Sequence, residues 1–145
     1  DCSQCPIHPE RKDLFHDYVE KHSNLLKKNG IEPALMMTWA YKDKPEMTSL
    51  LAREYTVAGN KNNVLVMPVG LAYANSTKVH PEIDLYTSDK RHPSKAGTYL
   101  SACVMYASVF QTSPVGNSYT FDLDTNIALN LQKIAWATHQ EYYEN

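Results

Sequence analysis

Pro33-Ala-Leu-Met-Met-Thr-Trp-Ala-Tyr41 is a nearly continuous apolar run with no alternation. Runs of this kind suit strands buried on both faces, as in parallel sheets. Val64-Leu-Val-Met-Pro-Val69 is a second such run. Pro68 removes a ladder donor, which places it near that strand's end or at an edge. Between the two runs, Pro45 and Glu46 suit the first turn of a helix, with Met47, Leu50 and Leu51 on its apolar side and Gly59-Asn60 as its stop. A strand, a helix and a strand in this order predict two neighbouring parallel strands joined by a crossover helix.

Outward from this unit, residues 11–29 carry Leu14, Phe15, Tyr18, Val19, His22, Leu25 and Leu26 at helical spacing on one face. Lys27 and Lys28 suit its last turn, and Gly30 a stop. Residues 70–92 hold Gly70, Pro81 and several turn formers, and predict a short helix inside a long functional loop. Residues 94–110 predict a helix that is apolar nearly all round and therefore well buried. Asp124 is a fitting cap for a last helix with Ile127, Leu131, Ile134 and Ala135 inward. The alternation of elements predicts an α/β fold with a parallel sheet. Two strands and four helices cover their own sheet edges poorly, so further strands are expected upstream.

The chain has 145 residues, 43% hydrophobic and 21% charged, which suits one soluble globular domain. A net charge of -2 gives no nucleic-acid footprint, and no apolar run reaches the roughly 20 residues that span a bilayer. Asp1 is not a natural first residue, so the expectation is that the N-terminus was processed or lost. Cys2, Cys5 and Cys103 are an odd count, which argues against a disulfide framework. Cys2-Ser-Gln-Cys5 lacks the further ligands or the strand-to-helix context of a zinc or redox site and reads as an incidental loop pair. Cys103 reads as a small core residue.

The chemistry concentrates in Asp84-Leu-Tyr-Thr-Ser-Asp89-Lys-Arg-His92-Pro-Ser-Lys-Ala-Gly97. An Asp and a His three residues apart, just before a helix, can supply a general base and the acid that orients it. Pro93 biases His92 away from the helical conformation. On spacing alone, a solvated loop with a capping Asp fits as well.

Asp89-Lys-Arg-His92-Pro-Ser-x-x-Gly-Thr-Tyr-Leu100 resembles the last block of the SGNH/GDSL-type serine hydrolases. Ala102 to Ala107, Ser113-Pro-Val-Gly116, Met37 to Asp43 and Ile134-Ala-Trp136 support the likeness, which runs from about Pro33 to the end. The resemblance implies the C-terminal part of a three-layer α/β/α, flavodoxin-like domain. Residues 1–145 would be the C-terminal portion of a single such domain. It implies ester hydrolysis, with O-acyl groups of carbohydrates as the substrate class. His92 would be the base and Asp89 its partner. No cofactor and no metal are implied, and the expected partner is a small-molecule or carbohydrate ester.

The sequence departs from the family by lacking the block that carries the nucleophilic serine and those giving the oxyanion donors, so the chain alone is expected to be inactive. Ser3 reads as a polar loop residue rather than the nucleophile. Trp39 and Tyr41, at the expected carboxyl end of a strand, are candidate substrate contacts or packing under the loop. The alternatives are a non-catalytic SGNH-like binding domain and a metal site built from His80, Asp84, Asp89 and His92.

Overall fold

The computed structural model describes residues 4–144, and 59% of the fold is helix. Cys2 and Ser3 lie outside the described residues. A short 3-10 turn, Cys5–Ile7, leads into α1 (Lys12–Lys28). Then come β1 (Ala34–Met36), α2 (Met47–Asn62), β2 (Leu65–Met67), α3 (Val69–Val79), α4 (Lys95–Phe110) and α5 (Thr125–Glu144).

The two strands pair in parallel, Ala34 opposite Leu65 and Met36 opposite Met67, and α2 joins them as the spacing predicts. The expected three-layer α/β/α domain is not what forms. The protein is mostly helical, and its sheet has two strands of three residues each. The apolar run from Pro33 leaves the strand after Met36, and Ala34 and Met36 are exposed rather than doubly covered. Most of the apolar residues are spent on helix packing instead. Tyr73 of α3, Leu100 and Val104 of α4, and Leu131 and Ala135 of α5 form one core with Leu85. A second core sets Met37 and Val66 against Leu51 and Tyr55 of α2.

Four local expectations are also corrected. Gly59-Asn60 does not stop α2, which runs on to Asn62 and ends with Asn63 in the left-handed conformation at φ 48°. Gly59 serves a close approach: a Cβ there would lie 2.2 Å from Val66 Cγ2. Helix α4 is not buried all round, since Val109 and Phe110 are 53% and 64% exposed. Leu14, Tyr18 and Leu25 of α1 also face outward, because that helix packs chiefly on α2 and the Cys5–Ile7 turn. Finally, Cys5 is disulfide-bonded, while Cys103 is a free thiol whose burial pushes its pKa up to about 11.

Both ends of α5 are fixed. Asp124 Oδ1 accepts the Asn126 and Ile127 amides at 2.9 and 3.3 Å, the cap that the sequence predicts. At the other end the Tyr143 hydroxyl donates to the Val66 carbonyl at 2.6 Å, and Tyr142 meets Thr56 at 2.7 Å. Gly97 holds the start of α4 against the preceding loop. A Cβ there would lie 2.3 Å from the Leu85 carbonyl oxygen and 2.5 Å from the Tyr73 hydroxyl. Gly97→Ala should therefore destabilise the protein by roughly 2–3 kcal/mol, seen as a lower urea midpoint at unchanged slope.

Candidate active site

The loop from Asp84 to Ser94 is shaped by its own short-range hydrogen bonds. Tyr86 and Pro93 form an isolated antiparallel bridge. The Ser94 amide donates to Leu85 O, and the Thr87 amide to His92 O, both at 2.9 Å. Lys90 takes φ 64° at the tip, where its amide donates to Thr87 O and its carbonyl accepts from the Lys42 amide. Ser94 closes the loop by capping α4, accepting the Gly97 amide at 3.2 Å. Asp89 and His92 thus stand on one tight turn just before a helix.

Within that turn His92 Nδ1 lies 2.5 Å from Asp89 Oδ2. Asp89 Oδ1 accepts three further bonds: from Thr87 Oγ1 at 2.8 Å, the Arg91 amide at 2.8 Å and the His92 amide at 2.9 Å. The bond from the His92 ring, then those from the His92 and Arg91 amides and Thr87, hold the Asp89 carboxyl well below the usual carboxylate range. Asp89 is therefore ionised at neutral pH and can only accept. Nδ1 must carry the proton in that bond, which leaves Nε2 of a neutral His92 as the basic nitrogen.

His92 borders a cleft of about 690 Å³ together with Trp39, Tyr41, Thr38, Arg91, Arg11 and His8. The two aromatic candidates reach this cleft from three to five residues beyond the end of β1. Both also support the loop. Trp39 Nε1 donates to Arg91 O at 2.9 Å, and its ring stacks on Tyr73 at 4.6 Å and 7°. Tyr41 lies beneath the Arg91 guanidinium, 4.7 Å from ring centroid to Cζ. Trp39→Phe keeps an aromatic face but loses the bond to the loop. It should cost about 1 kcal/mol and speed amide hydrogen exchange at Thr87 and His92.

The structure does not bring the four candidate metal ligands together. His80 pairs with Glu82 at 3.1 Å, and Asp84 with Lys42 at 2.7 Å, while Asp89 is taken up by His92. Among the described residues no three metal-capable side chains gather. Lys42, followed by the Tyr86 amide, lowers the pKa of Asp84.

Sequence reasoning gave Thr87, Arg91 and Arg11 no place at the site, and weighed His8 only beside the Cys2–Cys5 pair. Thr87 had a signal, since a hydroxyl two residues before the Asp can reach its carboxylate. Arg11 and His8 had none, being brought to the cleft by the packing of the N-terminal turn.

No protein-family model matches the sequence, and no curated protein matches it. One solved structure is similar: the crystal structure of a DUF4886 family protein from Bacteroides uniformis ATCC 8492. The likeness has a TM-score of 0.72 at 18% identity, over 89% of this chain and 57% of that one. At that identity it shows the fold alone. The chain spans a little over half the length of that structure.

Proposed function

We propose that Asp89 and His92 are the acid–base half of a serine ester hydrolase centre. In this proposal the nucleophile and the oxyanion donors come from residues that this chain does not hold. The single observation that carries the reading is the 2.5 Å contact between His92 Nδ1 and Asp89 Oδ2, made by a ring that borders a cleft. With Nδ1 held, Nε2 takes the proton of a serine hydroxyl as its oxygen attacks the ester carbonyl. The same proton then goes to the departing alkoxide. In the second half Nε2 takes a proton from water, whose oxygen attacks the acyl-enzyme, and returns it to the serine. Throughout, the Asp89 carboxylate stabilises the imidazolium.

A non-catalytic binding domain is the second reading. It is favoured by the cleft itself, whose described lining includes no serine: its aliphatic hydroxyl is Thr38, and its cysteine, Cys5, is disulfide-bonded. The two readings separate in one assay, the release of p-nitrophenol from p-nitrophenyl acetate. The longest reading frame containing these residues should turn the ester over. The 145-residue chain should show nothing above its own His92→Ala variant. A longer protein without turnover favours the binding domain. Turnover by the 145-residue chain that vanishes with Ser3→Ala would overturn the proposal of a nucleophile outside it.

A further inference from the structure

We infer that the His92 cleft selects an anionic ester, one bearing a carboxylate that Arg91 grips; this rests on the His92 cleft being the ester-binding face.

The charges around the loop are unequally compensated. Lys42 is paired with Asp84 at 2.7 Å, and Lys90 lies 3.7 Å from Asp43. Arg91 makes no ion pair among the described residues. It shares its cleft with His92, and among the described residues no aspartate or glutamate lines that cleft. A guanidinium on a concave wall, with no ion-pair partner among the described residues, attracts anions.

Arg91 is also held in place. Its amide donates to Asp89 Oδ1 at 2.8 Å, and its carbonyl accepts from Trp39 Nε1 at 2.9 Å. Its guanidinium rests over the Tyr41 ring at 4.7 Å. A guanidinium on an aromatic face keeps its planar fork of N–H donors, and that fork matches a carboxylate in a bidentate manner. The fixing costs of binding are met in advance, since the backbone and the stem are already ordered. Because Arg91 and His92 are adjacent in the chain and share the cleft, the carboxylate would sit beside the acyl group to be cleaved.

The test is a titration of the 145-residue chain at constant ionic strength, followed by amide shifts at residues 89–92. The probes are sodium glucuronate and its neutral methyl ester. Glucuronate should give saturable shifts at Arg91 and His92, with a Kd at least fivefold below that of the neutral ester. Arg91→Gln should abolish the preference, and Arg91→Lys, which keeps the charge but loses the fork, should retain a reduced one. Lys133→Gln, on the remote helix α5, should leave it whole. Equal Kd values for the two probes, or a preference that survives Arg91→Gln in a folded variant, would overturn the inference. Binding needs no nucleophile, so a failed esterase assay and a failed titration are separate results.

Discussion

Exchanging Asp89 for Asn in a longer protein that turns over p-nitrophenyl acetate as proposed should lower kcat by about 10³–10⁴-fold with KM little changed. The substitution is nearly isosteric, so the loop should keep its shape: an Asn side-chain oxygen can still accept the Arg91, His92 and Thr87 bonds now made to Oδ1. The group facing His92 then becomes an amide that donates. His92 Nδ1 must accept from it, and the ring proton moves to Nε2, the nitrogen that should be receiving the proton of the nucleophile. The negative charge that stabilises the imidazolium disappears as well. The proposed substrate contacts at Arg91, Trp39 and Tyr41 are untouched, so the loss falls on the chemical step. A loss shared between kcat and KM would instead mark Asp89 as a loop scaffold.

The second large effect is on stability in acid and centres on Glu54, far from the loop. Its side chain is 4% exposed, and it accepts from Lys12 at 2.8 Å, His16 at 2.9 Å and Arg53 at 2.8 Å. Burial raises its pKa, but the bonds from Lys12, His16 and Arg53 outweigh this and bring it down to about 2. A carboxyl whose folded pKa is depressed contributes stability above its unfolded pKa and loses it as the pH falls through the folded one. The window therefore runs from about pH 4.5 down to about pH 2. The size is on the order of 2 kcal/mol, less than the full shift implies because Lys12 and Arg53 are 40% and 64% exposed and screened by water. Buried His139 adds a separate slope. Its burial lowers its pKa, so the folded state resists its charging and stability begins to fall below about pH 6.5. Thermal melts followed by circular dichroism across pH 7 to 2 should show Glu54→Gln destabilised at pH 7. The variant should be nearly flat, relative to the native protein, between pH 4.5 and 2. A variant that parallels the native protein throughout would remove Glu54 from this role.

The parts of the fold legible in the sequence were those set by local rules. Helix α1 from its periodicity, Asp124 as a cap, and the parallel pairing across α2 all depend on residues within a turn or a crossover unit. What the sequence hid was how much sheet there is. An apolar run reads alike whether it feeds a long central strand or, as from Met37 to Tyr41, leaves a three-residue strand to pack beneath a loop. Gly59 misled for a related reason: it looked like a helix stop, and only the position of Val66 explains why a glycine lies within the helix. At the site, the closeness of Asp89 and His92 was legible because three residues separate them. The setting of that pair was not. Trp39 is 52 residues from the Arg91 carbonyl that it holds, and Tyr41 meets the Arg91 guanidinium only through the tertiary fold.

The most direct test of the Asp89–His92 pair as an acid–base device is the tautomer of the His92 ring in the 145-residue chain. Two-bond ¹H–¹⁵N correlations on ¹⁵N-labelled protein resolve the ring nitrogens of its six histidines, and the one whose pattern changes in Asp89→Asn is His92. In the neutral ring of the native protein Nδ1 should carry the proton and Nε2 should have the shift of a bare, basic nitrogen, with the two reversed in Asp89→Asn. A native His92 protonated on Nε2 would contradict the pairing and, with it, the role of His92 as the base.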